Sequence, residues 1–268
     1  MSRNGDDIVL QYTESNRRAW NEIAQIRHTQ QPPAEFFAAA NSTLDPRELP
    51  AVGGDVKGRR LLHLQCSTGE DTLSWSLAGV LATGVDISEE QIKLAQEKAA
   101  KAGLPARFVA ADVYALPPDL QAGDFDIVYT SRGVMVWLPD LTRWAQVIAA
   151  ALKSGGIFLL FEEHPIASCL SITDGRLQLE SDYFGRGRPE PSTGWRHFQG
   201  GEAAQQVKTE FSWPLGDIVT ALAQAGHLFI ERLEEYPAER GWRFGEDEET
   251  IELHRLPGSF LLVARKGS

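Results

Sequence analysis

Between Arg59 and about His164, short apolar runs alternate with longer stretches that carry one apolar stripe. A strand buried on both faces reads as an unbroken apolar run, whereas a covering helix repeats its apolar residues three and four apart. The alternation predicts βαβ units and a mostly parallel sheet. Leu61–Leu64 is the first strand, Glu70–Leu77 its helix, and Val80–Val85 the second strand. Ser88-Glu-Glu-Gln91 is a capping box, and Ile92, Ala95 and Ala99 stripe a helix that ends near Gly103. Ala106–Ala110 and Phe125–Thr130 are the third and fourth strands. Leu141, Trp144, Ala145 and Ile148 lie at helical spacing, Gly155-Gly156 is the expected stop, and Ile157–Phe161 is a fifth, buried strand.

The flanks read differently. Pro165–Trp213 holds Gly, Pro, Arg and aromatics without a period, as expected of an insertion or lid. Regularity returns at Leu215–Ala225, where Ile218, Ala221, Leu222 and Ala225 form a stripe ending at Gly226. Strands follow at His227–Leu233 and Ser259–Ala264, and the acidic stretch between them, with Glu246-Asp-Glu-Glu249, reads as a solvated loop. Near the N-terminus a helix is expected around Ser15–Ile26, followed by a loop at Gln31-Pro-Pro33. The expected division is a helical cap over residues 1–45, a core over 46–164, a lid over 165–213, and completion of the core over 214–268.

Composition narrows the function. The 268 residues are 43% hydrophobic, enough for a sizeable core. Lys plus Arg is 26 and Asp plus Glu is 37, a net charge of −11 that repels a phosphate backbone and argues against nucleic acid. Cys66 and Cys169 lack metal-ligand spacing and are expected as reduced thiols, with no metal site. The apolar runs, such as Ile157–Phe161, are too short to cross a bilayer, and no apolar signal region opens the chain. The expectation is a cytoplasmic protein with no membrane partner; oligomeric state stays open.

The chemistry concentrates in Leu61-Leu-His-Leu-Gln-Cys-Ser-Thr-Gly69, followed by Thr83-Gly-Val-Asp86. A strand, a Gly-ended turn, a helix and a second strand ending in an acid form a grip for a nucleoside. The turn and helix N-terminus offer backbone N–H groups, and the acid can accept both ribose hydroxyls. Of a dinucleotide G-x-G-x-x-G only Gly69 is present, which counts against NAD, because those glycines let the backbone approach a pyrophosphate. S-adenosylmethionine (SAM), adenosine joined to methionine through a sulfonium, has no phosphate and relaxes that demand.

Here the chain resembles the class I SAM-dependent methyltransferases. Their first motif is acid-x-Gly-x-Gly-x-Gly, and those positions hold His63, Gln65, Ser67 and Gly69, so three depart. The His-Leu-Gln-Cys string resembles a bacterial small-molecule subgroup, as do Asn16-Arg-Arg-Ala-Trp20-Asn, Tyr129-Thr-Ser-Arg-Gly-Val-Met-Val-Trp137-Leu-Pro-Asp140, Glu162-Glu-His-Pro165 and Trp213-Pro-Leu-Gly216. The resemblance implies a Rossmann-like, doubly wound, seven-stranded α/β sheet, antiparallel at Ser259–Ala264, with SAM as cofactor and S-adenosylhomocysteine as product.

It also implies roles. Asp86 would bind the ribose hydroxyls, Ile87 the adenine face, and Asp112 with the Val113 N–H the adenine edge. Gln65, Cys66, Thr68 and Gly69 would surround the methionine portion, with His63 beside them; since His63 replaces the acid, the amino group falls to Gln65 or Glu70. Thr130 and Ser131 would border the sulfonium. On the N-terminal helix Tyr12, Asn16, Arg17 and Trp20 share one face, which places Tyr12 and Trp20 over the cofactor. Glu162 and His164, after the fifth strand, are the candidate bases, with Glu163 beside them. Arg132, Trp137, Glu163 and Tyr183 are candidates for the acceptor, a small molecule, with Phe184, Arg186, Arg188, Trp195, Arg196 and His197 in the lid around it. Ser131-Arg-Gly133 replaces the Asn/Asp-Pro-Pro-Tyr/Phe used for amino-group methylation of bases. Two alternatives keep the SAM site: a cyclisation or elimination releasing methylthioadenosine, and a non-catalytic SAM-binding protein.

Overall fold

The apolar runs predicted as strands do pair, and nearly in the predicted places. A computed structural model describes residues 3–174, 176–196, 198–238 and 253–268. The core strands are β1 (Arg60–Leu64), β2 (Leu81–Asp86), β3 (Arg107–Ala110), β4 (Phe125–Ser131) and β5 (Leu152–Glu163), joined by β10 (Leu228–Pro237) and β11 (Pro257–Lys266). They form one seven-stranded sheet in the order β10-β11-β5-β4-β1-β2-β3. β1 to β5 run parallel, and β11 is antiparallel to both β5 and β10. The chain enters at β1, winds outward to β3, and crosses back to β4. The crevice between the carboxyl ends of β1 and β4 is therefore the topological switch point, where open α/β sheets bind ligands.

Each central strand is buried on both faces, which explains its unbroken apolar run. Leu62, Leu64, Val128, Phe158 and Leu160 face α6 (Leu141–Ala151) and α8 (Leu215–Gln224) through Trp144, Ile148, Ile218 and Leu222. Leu61, Ile127, Leu159 and Phe161 face the other way, against Trp75 of α4 (Glu70–Leu77). A fully buried aliphatic or aromatic side chain contributes about 1.5–3 kcal/mol, so these two faces dominate the stability. α5 (Glu89–Ala102) opens as its capping box predicts, with Ser88 Oγ accepting from Gln91 N, and closes on Gly103.

Two expectations need correction. Gly155-Gly156 does not stop α6, which ends at Ala151; both glycines lie inside β5. The register jumps from Phe125↔Leu152 to Ile127↔Ile157, so residues 153–156 form a bulge. A Cβ on Gly156 would lie 2.9 Å from Lys153 O and 3.0 Å from Phe125 O, so the bulge has room only for glycine. The last strands also run longer than predicted, β10 reaching Pro237 into the acidic stretch. The Glu246–Glu249 run lies outside the described residues.

The region read as a lid contains α7 (Pro165–Ser168) and two hairpins, β6 (Leu170–Thr173) with β7 (Arg176–Leu179) and β8 (Pro189–Ser192) with β9 (Lys208–Phe211). At the other end, α1 (Arg3–Thr29) is longer than expected; α2 (Ala34–Ala38) and α3 (Glu48–Ala51) follow it. Asn16 ties α1 to the lid: its Nδ2 donates to Thr209 O at 2.9 Å and its Oδ1 accepts from Thr209 N at 2.7 Å. Among the described residues no helix is long and apolar enough to cross a membrane.

Candidate functional site

The turn after β1 keeps the backbone of a glycine motif without its glycines. Gln65, Ser67 and Gly69 have φ of 59°, 52° and 85°, all left-handed. A non-glycine residue there costs on the order of 1 kcal/mol, and the surroundings must hold it. Ser67 is held by its N–H, which donates to Asp86 Oδ2 at 2.8 Å, and by its hydroxyl, which donates to Gln91 Oε1. Gln65 is held through its carboxamide, whose Nε2 donates to Val134 O at 3.2 Å. Gly69 has no substitute, because a Cβ would come within 2.8 Å of the Phe108 ring. Cys66 is buried in this turn; burial pushes its thiol well up, so it packs as a small apolar residue.

The acid at the end of β2 sits where the sequence places it. Asp86 accepts from Ser67 N on one oxygen and from Ser88 N, at 2.9 Å, on the other. Burial raises its pKa, while those N–H donors and that of Ile87 favour the carboxylate. Asp112 accepts from Tyr114 N at 2.9 Å, capping the single 3-10 turn Val113–Ala115, and Val113 is buried behind it. Ile87, Ala110, Ala111 and Asp112 line one wall of a cleft of about 840 Å³. α1 supplies the opposite wall with Leu10, Gln11, Thr13, Glu14 and Arg17. The volume suits a drug-sized ligand. Tyr12 is not on that wall; its ring stands edge-on to Phe211 at 5.3 Å.

Beneath the turn, two residues expected near the cofactor are turned inward. His63 is 2% exposed, its Nδ1 is 2.8 Å from Thr72 Oγ1, and its ring lies 4.7 Å from that of Tyr129. Strand alternation aims it into the layer under α4, not at the turn's surface, and burial lowers its pKa to about 4, so it is neutral. Glu70 is buried with Lys98 as a salt bridge; Thr68 Oγ1 donates to Glu70, and Arg27 of α1 lies 3.6 Å from it. Burial opposes ionisation, yet the charges of Arg27 and Lys98 hold Glu70 down at about 2. Arg27 and Lys98, unremarked in the sequence, thus join α1, α4 and α5 at one point; only spatial proximity reveals them.

At the ends of β4 and β5 the candidate bases take other roles. Glu162 accepts from the N–H groups of Gly133 at 2.6 Å, Val134 at 2.9 Å, Met135 at 3.2 Å and Glu163 at 2.6 Å. Burial raises it to about 7 against those donors, and both oxygens are committed to shaping the loop after β4. His164 is committed too: Nδ1 accepts from Ile166 N at 3.2 Å and Nε2 faces Glu235 Oε1 at 2.9 Å. That pins the first turn of the lid to β10. The sequence position at the sheet edge is as predicted, and each group is held there by the hydrogen bonds just given. Glu163, half-buried, follows at the same edge.

A second carboxylate group, absent from the sequence reading, lies nearby. Asp71 accepts from Ser131 Oγ at 2.9 Å and Thr43 Oγ1 at 2.6 Å, and Tyr129 OH lies 3.3 Å from it. The Tyr129 hydroxyl bonds Glu48, which burial and then the Asp71 charge raise to about 8. Arg132 Nη2 donates to Thr43 O at 3.2 Å, so its guanidinium is turned toward this cluster. Thr130 Oγ1 is buried with no partner among the described residues. Glu48, Thr43 and Asp71 come from segments that share no motif.

Over the edge, Trp20 of α1 packs on Trp137 at 5.2 Å and on Trp195 at 4.4 Å, with Phe198 completing the cluster. Trp137 therefore packs between α1 and Trp195. Tyr183 is held in the lid, its hydroxyl accepting from Leu215 N at 3.1 Å. His197 lies outside the described residues. No group of three or more His, Cys, Asp or Glu is arranged to hold a metal among the described residues.

Comparison with known proteins agrees with this geometry. Residues 61–156 match the family described as a methyltransferase domain. The ubiquinone biosynthesis O-methyltransferase of Bordetella avium is 28% identical over 149 residues, 55% of this chain and 58% of that protein. The 27-O-demethylrifamycin SV methyltransferase of Amycolatopsis mediterranei is 37% identical over 114 residues, 40% of this chain and 38% of that protein. The matches thus span little more than half the length of such relatives, and less in the second case. A crystal structure of a SAM-dependent methyltransferase from Mesorhizobium loti superposes with a TM-score of 0.59 at 25% identity, covering 81% of this chain and 95% of that one. The fold is the Rossmann-like fold of these methyltransferases.

Proposed function

We propose, taking residues 61–156 as a methyltransferase domain, that this protein uses SAM to methylate a small organic acceptor. The observation that carries the reading is Asp86, which ends β2 held by the Ser67 and Ser88 N–H groups, next to a cleft lined by Ile87 and Asp112. A nucleoside without phosphates fits those acceptors and that wall: carboxylate for the ribose diol, apolar wall for the purine, Asp112 for its amine.

The sulfonium supplies an electrophilic methyl when bound, so the protein's task is chiefly positioning and exclusion of water. Glu162 holds the backbone of residues 133–135, and with it the loop carrying Arg132 and Trp137, at the β4 edge. His164 anchors the start of the lid, and the Trp20–Trp137–Trp195 cluster closes the cap against it. The net charge of −11 and the small-molecule names of the two relatives support an organic acceptor over nucleic acid. The test is calorimetric binding of S-adenosylhomocysteine with NAD as control, then product analysis with candidate acceptors. Binding and release of S-adenosylhomocysteine is the expected result. Methylthioadenosine as product, or binding of NAD alone, would overturn it.

A further inference from the structure

The cleft beneath α1 is larger than the purine that the proposed reading gives it. At about 840 Å³ it stands in the upper part of the range that buries a whole drug-sized ligand. Yet it does not serve the rest of SAM: among the described residues that line it, none belongs to the turn after β1, and Asp86 is not one of them. The space therefore starts at Ile87 and Asp112 and runs away from the ribose, along α1. Its far wall is one stripe of that helix, Asp7, Leu10, Gln11 and Glu14, at the i, i+3, i+4 and i+7 positions. Leu10 is 50% exposed, so an apolar side chain overhangs the cleft with room for a ligand against it. Across from it stand Ala110, the last residue of β3, and Ala111, whose side chains are too short to fill the gap.

The lining also has a sign. Asp7, Glu14, Glu89 and Asp112 are set against only Arg17 and Arg18. Arg17 is bound to Glu14 and to Glu89, and Arg18 lies 3.5 Å from Glu14, so neither guanidinium is offered to an anion. Resting on the reading that the purine of SAM meets Ile87 and Asp112, we infer that the cleft extends the cofactor site and takes a substituent on the adenine's exocyclic amine. That substituent is apolar along its length, where Leu10 and the two alanines face it, and neutral or cationic at its end. Asp112 holds the amine on this reading, so the amine is the part of the purine that faces the remaining space. An anionic end meets the surplus of acids and is disfavoured.

The experiment compares three ligands by calorimetry: S-adenosylhomocysteine, the same molecule with an aminohexyl chain on the adenine amine, and the same with a carboxypentyl chain. The aminohexyl ligand is expected to bind within about tenfold of S-adenosylhomocysteine, since ordering a flexible chain offsets most of what its contacts contribute. The carboxypentyl ligand should bind roughly fivefold more weakly than the aminohexyl one at low salt. Leu10→Trp, a change on the exposed face of the helix, fills the extension and should raise the ratio of aminohexyl to unmodified Kd by about tenfold. Asp7→Lys should shrink the preference for the amino end. An aminohexyl ligand more than about tenfold weaker than S-adenosylhomocysteine denies the extension. Chains tolerated alike whatever their charge, or a ratio unmoved by Leu10→Trp, mean that the chains reach open solvent instead. Any of these results overturns the inference and leaves the cofactor reading in place. If S-adenosylhomocysteine itself does not bind, the reading falls first and the inference with it.

Discussion

The edge proposed for the cofactor and the edge proposed for the acceptor are built by different means. The cofactor edge, from the turn after β1 to Asp112, is made of consecutive strand ends, and its two acids, Asp86 and Asp112, are each held by backbone N–H donors. The acceptor edge is assembled from side chains of α1, the segment around Thr43, the loop after β4 and the lid. The first is set by the spacing of strands and turns, the second by contacts between distant segments. A variant at the first should strike cofactor affinity, and one at the second should strike turnover.

The joint between the two regions offers the largest effect. Lys98→Met leaves Glu70 buried with one charge partner fewer, and breaking such a pair costs about 3–5 kcal/mol; chemical denaturation reads it, and an unchanged midpoint would deny the joint its role. The same group sets an acid limit. Glu70 has an ordinary value of 4.5 and is held at about 2 in the fold, so the stability it adds is present above 4.5 and drains away as pH falls from 4.5 toward 2. Next comes Asp86→Ala, expected to weaken S-adenosylhomocysteine binding at least tenfold and also to strand the Ser67 and Ser88 N–H groups. Glu162→Gln is the matching probe of the acceptor edge. It places an NH₂ among backbone donors, costs about 1–2 kcal/mol, and should lower turnover with cofactor affinity nearly intact. Affinity falling in step with turnover would erase the distinction between the edges. The smallest effect is expected from Glu48→Gln. Glu48 is raised from 4.5 to about 8, so the fold holds its proton where the unfolded chain has released it, and stability declines as pH rises from 4.5 to 8. The amide should flatten that decline, seen as a Tm profile less steep between pH 5 and 8.

The legibility of the sequence follows the same division. Strand runs, the Ser88 box and the Gly103 stop were readable because local periodicity and backbone geometry decide them. Asp86 and Asp112 were readable because a strand end fixes where an acid lies. Glu162 and His164 were placed at the right edge, but the hydrogen bonds that hold them there are invisible in one dimension. Asp71 lies in the predicted helix Glu70–Leu77, yet nothing local announces that Ser131, Thr43 and Tyr129 converge on it. The left-handed Gln65 and Ser67 could be inferred only by assuming that the turn outlives its glycines. Gly155-Gly156 misled because two glycines signal a helix stop and a strand bulge equally well.

α1 has a mechanical consequence. Its 27 residues span about 40 Å, and its anchors are unevenly spaced along that length. Arg27 clamps the C-terminal end to Thr68 and Glu70, Asn21 meets Ser88, and Asn16 meets the lid, while Leu10 and Gln11 overhang the cleft roughly 25 Å from the clamp. Ser15 and Arg17 are tied down as well, to Val207 and Glu89, so only the turns before Ser15 extend past the last anchor. A bend there moves Leu10 and Gln11 while every strand of the sheet stays still.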